Sequence, residues 1–163
     1  MGILSSEIQN LKNPVLGAYL LFRFSKKFVD LSNTENGIKL PLLYIPLPLI
    51  FDNNFSYLIQ KTNLGWYKFL TKFPYEGKAS SSISESVFSN LNLSQKAISV
   101  GIKIKLFDIT PEEGEILPNS KNIISENKLN TDVIRMAQQA DKLGKWCADY
   151  SIQENFSILG LRL

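Results

Sequence analysis

Residues 83–118, ISESVFSNLNLSQKAISVGIKIKLFDITPEEGEILP, decide how this chain is read. Ile83, Val87, Phe88 and Leu91 fall at helical spacing, so residues 83–91 predict a short amphipathic helix. Asn92 and Leu93 read as a tight break, with Ser94 as the N-cap of a second helix, because a hydroxyl there accepts from the free N–H groups of the first turn. That helix, from Gln95 to about Lys103, presents Ala97, Ile98, Gly101 and Ile102 inward. Leu106 to Ile109 then reads as a strand, Thr110 to Gly114 as a proline/glycine turn, and Glu115 to Pro118 as the returning strand. Helix, helix, hairpin is the order of a winged helix-turn-helix with a short wing hairpin. The fold class expected is mostly α with a small β part (α+β).

Upstream, Asn13-Pro14 is a start signal, since proline suits the first helical turn. Val15 to Val29 is apolar nearly all round, broken only by Arg23, Ser25, Lys26 and Lys27. Such a helix is central to a core or covered by a partner. The polar run from Ser32 to Gly37 ends it. Pro41, Pro46 and Pro48 exclude a regular helix through Lys39 to Phe51. An extended approach, then a helix opening near Pro46 or Pro48 and running to about Gln60, fits this stretch. Leu64 to Phe73 predicts a short helix with Trp66, Phe69, Leu70 and Phe73 on one side, and Glu76 to Ser82 reads as a loop.

Downstream, a long C-terminal helix runs from Asp132 to Tyr150, capped by Asn130 or Thr131. Its apolar stripe is Val133, Met136, Ala137, Ala140, Leu143, Gly144, Cys147 and Tyr150, and Asp132, Arg135, Gln139, Lys142 and Asp149 lie opposite. Gly144 costs roughly 1 kcal/mol there relative to alanine, which points to a close backbone approach. Phe156 to Leu163 reads as a short apolar strand or anchor. The whole fits one domain over residues 1–163: an N-terminal helical part (1–78), the winged unit (83–118), and the C-terminal helix with its tail (130–163).

Composition narrows the chemistry. The 163 residues contain no histidine and one cysteine, Cys147. That excludes a Ser-His-Asp triad, a papain-like pair, a zinc finger and an intramolecular disulfide. No GxxxxGK[ST] or GxGxxG run cradles a nucleotide phosphate. Cys147, on the apolar stripe, reads as a buried structural thiol. Glu112, Glu113 and Glu115 read as a solvated acid patch on an exposed turn rather than a metal site. The expectation is a non-enzymatic protein with no catalytic residues, no metal, no cofactor and no small-molecule substrate. The longest uncharged apolar run, Leu40 to Phe51, is about half the ~20 residues of a membrane span. The opening MGILSSE lacks the basic region of a secretory signal, so cytoplasm is expected.

The net charge of +3 is unevenly placed, with +5 in residues 61–105 and −2 elsewhere. Lys68, Lys72, Lys96, Lys103 and Lys105 are the candidate DNA contacts. The second helix of the winged unit exposes Gln95, Lys96, Ser99 and Lys103 and no arginine, whereas DNA-reading helices usually bring Arg, Asn or Gln to base edges. The hairpin carries Asp108, Glu112, Glu113 and Glu115 with no positive charge, which would repel phosphates. Those four acids are therefore candidate protein-binding residues.

Four stretches carry a family resemblance. They are Asn13 to Leu21 (NPVLGAYLL), the proline-broken Leu40 to Phe51, Ala140 to Trp146 (ADKLGKW) and Ser157 to Arg162 (SILGLR). In that order they resemble the middle component of bacterial three-component ABC systems, a group that includes Lamassu-type defence. The resemblance spans almost the whole chain. It implies a small adaptor between an SMC/Rad50-like ABC ATPase and an effector (nuclease-type) component in anti-phage or anti-plasmid defence, touching DNA through the complex. Trp146, within the third stretch, joins the candidate protein-binding residues. The alternative is a free-standing winged-helix transcription regulator, against which the arginine-poor helix and the acidic hairpin both weigh.

Overall fold

A computed structural model describes residues 13–32, 36–73, 78–121 and 129–162. The first helix, α1 (Pro14–Ser32), starts where expected, with the Asn13 side chain accepting from the Val15 N–H at 2.9 Å. It is apolar nearly all round because two helices enclose it: α6 (Leu91–Lys103) and α7 (Thr131–Ala148). Both contacts are close. A Cβ on Gly17 would lie 2.9 Å from that of Ala97 in α6, and one on Gly144 of α7 would lie 2.5 Å from the Phe24 carbonyl oxygen. Gly144 thus permits the backbone approach that its place in a helix interior implied. Arg23 ties the same seam, donating from Nε to Asp141 Oδ1 at 3.1 Å and from Nη1 to the Tyr19 hydroxyl at 3.0 Å.

The proline-broken stretch becomes β1 (Ile38–Lys39), a 3-10 turn (Leu40–Tyr44), α2 (Pro46–Phe51) and α3 (Asn53–Gln60). Pro46 occupies the first turn of α2, where the missing N–H has no helical acceptor anyway. One helix to Gln60 was expected, and the structure divides it at Asp52. That residue is extended, and its Oδ1 caps α3 by accepting from the Asn54 and Phe55 N–H groups at 2.9 and 3.0 Å. After Gly65 (φ 103°) comes α4 (Trp66–Thr71), whose Trp66 and Phe69 are buried.

Two boundaries differ from the sequence reading around α5 (Lys78–Ser89) and α6. Helix α5 begins at Lys78, inside the serine-rich stretch read as a loop, with Ile83 and Val87 buried. Serine is a weak helix former, and packing on α2 outweighs it here. The break before α6 falls at Asn90 rather than at Asn92 and Leu93. Ser94 is therefore no cap: it lies on the buried stripe with Ala97, Ile98 and Gly101, its Oγ without a hydrogen-bond partner.

The hairpin forms as read, with β2 (Phe107–Thr110) and β3 (Glu115–Pro118). The sheet is antiparallel in the order β1-β3-β2, with Ile38 opposite Ile116 and Ile109 opposite Ile116 across the other edge. Helix α7 is capped by Asn130, whose side chain accepts from the Val133 N–H at 2.9 Å. The tail holds no strand among its described residues, Leu163 lying outside them: Phe156 to Ile158 end α8 (Ile152–Ile158), which is opened by a reciprocal cap in which Ser151 N–H donates to Glu154 Oε2 at 2.7 Å and Glu154 N–H to Ser151 Oγ at 3.1 Å. Gly160 (φ 70°) closes it, with Leu161 N–H reaching back to the Phe156 carbonyl at 2.8 Å. Among the described residues, no helix is long and apolar enough to cross a membrane.

Candidate functional site

The hairpin projects the largest group of candidate residues. Pro111 opens its turn, and Glu113 and Gly114 N–H groups donate back to the Thr110 carbonyl at 3.2 and 2.9 Å. Gly114 supplies the positive φ (63°) that this return needs. Asp108, Glu112 and Glu113 are exposed. Glu115 is different, at 5% exposure. Its carboxylate takes the Lys39 ammonium at 2.8 Å and the Gly37 N–H at 3.2 Å. The Lys39 hydrogen bond holds the Glu115 carboxyl below the usual carboxylate range, against burial, which pushes it up. So the four hairpin acids are neither all solvated nor all free of a cation. Sequence spacing did not reveal this, because Lys39 arrives from β1, which the hairpin recruits as its third strand.

Trp146 is 2% exposed. Its ring centroid lies 5.2 Å from that of Trp66 and 5.8 Å from that of Phe69. Trp66 Nε1 donates to Asn155 Oδ1 at 3.0 Å, and Asn155 Nδ2 donates to the Cys147 carbonyl at 2.9 Å. The aromatic cluster joins α4, α7 and α8, so Trp146 belongs to the core and presents no indole surface to a partner. Asn155 was missed by sequence reasoning. Its signal was a lone amide at the head of an apolar tail. Cys147 is buried as expected, and burial pushes its thiol well above the ordinary range.

The candidate DNA-contact lysines divide between elements. Lys96 and Lys103 are exposed on α6, beside Asn92, Gln95 and Ser99. Lys105, after the capping residue Ile104, is in the left-handed region (φ 62°), and Leu106 N–H then closes the helix onto the Gly101 carbonyl at 2.9 Å. Lys68 lies on α4 and Lys72 just past its end, where Lys72 Nζ donates to the Lys61 carbonyl. Lys142, read as solvent-facing, instead reaches the carbonyls of Ile59, Gln60 and Thr62 at 3.2, 3.1 and 3.1 Å. Burial first, and the charge of Lys72 second, push its ammonium below the ordinary range. Gln139, also read as solvent-facing, is buried and pairs with Ser56 at 3.0 Å. Helix α3 covers the polar side of α7, which a helical period alone does not disclose.

The model of the ABC-three component (ABC-3C) system Middle Component 3 family matches residues 1–163. The chain belongs to that family. No curated protein and no solved structure matches it. A middle component is one part of a multi-component system and has partner components. Within this middle component, the stretches that carried the resemblance lie in the seam between α1 and α7, in the proline-broken segment, and at the end of α8 with the turn that follows it. They are packing sequences. One further concavity, of about 800 Å³, opens between α3 and α5 and is rimmed by Asp52, Lys72 and Glu85. Asp52 caps α3 and Lys72 holds the Lys61 carbonyl, so two of these three charges serve the fold. Among the described residues, no group of three His, Cys, Asp or Glu is placed to hold a metal ion.

Proposed function

We propose that this middle component is a non-catalytic adaptor that bridges an SMC/Rad50-like ABC ATPase and a nuclease-type effector in cytoplasmic defence against phages and plasmids. In this reading α5, α6 and the sheet form a winged helix-turn-helix whose wing docks on protein. The observation that carries it is the charge of the hairpin. Asp108, Glu112 and Glu113 face solvent, while the adjacent cation, Lys39, is engaged by Glu115 and by the Glu113 carbonyl at 3.2 Å. Such a surface repels phosphates and suits a basic protein face. The strand order supports the winged reading: β1 enters before the two helices, the hairpin follows them, and β1 lies beside β3. Lys96 and Lys103, with Lys68, Lys72 and Lys105, add a salt-sensitive contact to DNA already held by the complex. The exposed face of α6 carries no arginine, which weighs against a dedicated DNA reader.

Co-expression of the three components tests the bridge. Affinity capture of the ATPase recovers the effector when the middle component is present and loses it when the middle component is omitted. Equal recovery of effector in both cases overturns the adaptor reading. Sequence-specific DNA binding by the isolated chain, at roughly 10⁻⁸ M or tighter at physiological salt, replaces it with the transcription-regulator reading.

A further inference from the structure

An adaptor that joins two proteins needs two surfaces, and the hairpin is one. A second group of exposed side chains lies where α4 meets the turn between α7 and α8. Tyr67 of α4 is 62% exposed, and its ring stands nearly perpendicular to that of the half-buried Tyr150, at 77° with the centroids 6.0 Å apart. Leu64, three residues earlier, is 82% exposed. Tyr150 lies between Asp149, which ends α7, and Ser151, which opens α8. Two exposed carboxylates stand beside it: Asp149 precedes it in the chain, and Glu154 reaches the following Ser151 N–H at 2.7 Å. Among the described residues neither carboxylate is in an ion pair, and neither tyrosine hydroxyl is hydrogen-bonded. Lys145, one turn back along α7, is exposed and pairs with neither acid. Burial first, then Tyr67 and the charges of Asp149 and Glu154, push the Tyr150 hydroxyl above its ordinary range. Tyr150 thus stays neutral in the field of two carboxylates. The corner is held from below by Asn155, which is 0% exposed. Its Oδ1 accepts from Trp66 Nε1, next to Tyr67, and its Nδ2 donates to the carbonyls of Cys147, Tyr150 and Ser151 at 2.9, 3.3 and 3.0 Å. One buried amide fixes the backbone beneath both tyrosines, so a ligand arriving there has little left to order.

We propose that this corner takes an arginine side chain of a partner protein and is the adaptor's second docking point. The faces of tyrosine rings are the negative part of the aromatic quadrupole and attract a cation. A guanidinium is planar, so it stacks on such a face while its N–H groups reach the open carboxylates and phenol oxygens around it. Tyrosine and arginine are also the residues that most often carry the energy of an interface. Charge decides against other occupants. The carboxylates repel the phosphates of a nucleic acid. A second copy of this chain meeting the same corner would set carboxylates against carboxylates. The place of the corner in a complex rests on the adaptor reading, whereas the arginine site itself does not.

The test is NMR on the full chain with ring-labelled tyrosine. The probe is a short glycine peptide carrying arginine, and the control peptide carries citrulline instead, which keeps the shape and removes the charge. The expected result is a saturable, salt-sensitive shift of the Tyr67 and Tyr150 ring signals, with the citrulline peptide binding about five-fold or more weakly. Tyr67→Ala and Asp149→Asn each weaken the arginine peptide by a similar factor, while Tyr67→Phe, which keeps the ring, stays within about two-fold of wild type. Should Tyr67→Ala fail to fold, the citrulline peptide on the wild-type chain decides. Equal binding of the two peptides, or no shift with either, overturns the proposal. So does a wild-type dimer that Tyr67→Ala dissolves, which would assign the corner to a second copy. In the three-component complex, Tyr67→Ala should release one partner and keep the one released by reversal of Asp108, Glu112 and Glu113. Release of the same partner by both changes overturns the second docking point. If the effector is recovered equally without the middle component while the arginine peptide still binds, the adaptor reading falls and the arginine site stands.

Discussion

The seam between α1 and α7 and the β2–β3 hairpin are built on opposite terms. Along the seam, Gly144 leaves no room for a Cβ beside the Phe24 carbonyl, and Arg23 and Asp141 pair across it at 19% and 25% side-chain exposure. The hairpin is rooted by Phe107 against Gly101 and by Lys39 on Glu115, but beyond that root Ile109 and three carboxylates face solvent. The seam holds two of the four stretches on which the resemblance was read, while the hairpin holds none of them. A sequence pattern enforced by packing identifies relatives, because every change there is felt by a neighbour. An exposed surface is under no such constraint from its own fold, so its residues are visible only as charge and exposure.

Substitutions in the two regions should separate along that line, most strongly at Trp146. Trp146→Ala should cost about 3–5 kcal/mol in urea unfolding, as expected for a large buried aromatic. A variant of unchanged stability that loses its partners would return Trp146 to the interaction surface and blur the comparison. Gly144→Ala comes next, at about 1–3 kcal/mol, because the obstacle is backbone rather than a movable side chain. By contrast, reversing Asp108, Glu112 or Glu113 to lysine should move stability by no more than about 0.5 kcal/mol.

The root of the hairpin should report through pH. Glu115 titrates below its ordinary 4.5 in the folded chain, so its contribution is fully present above that value and is lost as pH falls through the lower folded value. The stability gap between wild type and Glu115→Gln should therefore be constant at neutral pH and close in acid. A gap that widens on acidification would contradict the Lys39–Glu115 geometry. A small effect of opposite sign belongs to Lys105→Gly. Relief of the left-handed strain, of about 1–2 kcal/mol, is partly offset by about 0.4–1 kcal/mol of added unfolded-state entropy. A net gain of about 0.5 kcal/mol is expected, together with weaker DNA engagement by the complex.

Much of the fold was legible because helical period, proline position and the turn chemistry of Thr110 to Gly114 are local signals. The errors have local causes too. Ser94 looked like a cap because serine at a helix start usually is one, yet it fills the buried stripe of α6. The cap of α8 was written in Ser151 and Glu154, but the apolar run after it drew the reading toward a strand. Gln139 and Lys142 were placed in solvent because a period ranks side chains by polarity and is blind to partners brought by α3. The site was half legible. Asp108, Glu112 and Glu113 stood out as charge, whereas the burial of Glu115 depends on β1, which joins β3 from far away in sequence.

In the proposed function the hairpin meets partners while the helical seam holds the fold. Simultaneous substitution Asp108→Lys, Glu112→Lys and Glu113→Lys, followed by affinity capture of the ATPase from cells expressing all three components, tests it most directly. The account predicts that the triple variant is lost from the captured complex while its isolated melting curve overlays that of wild type. Recovery of the variant at the wild-type level would contradict it.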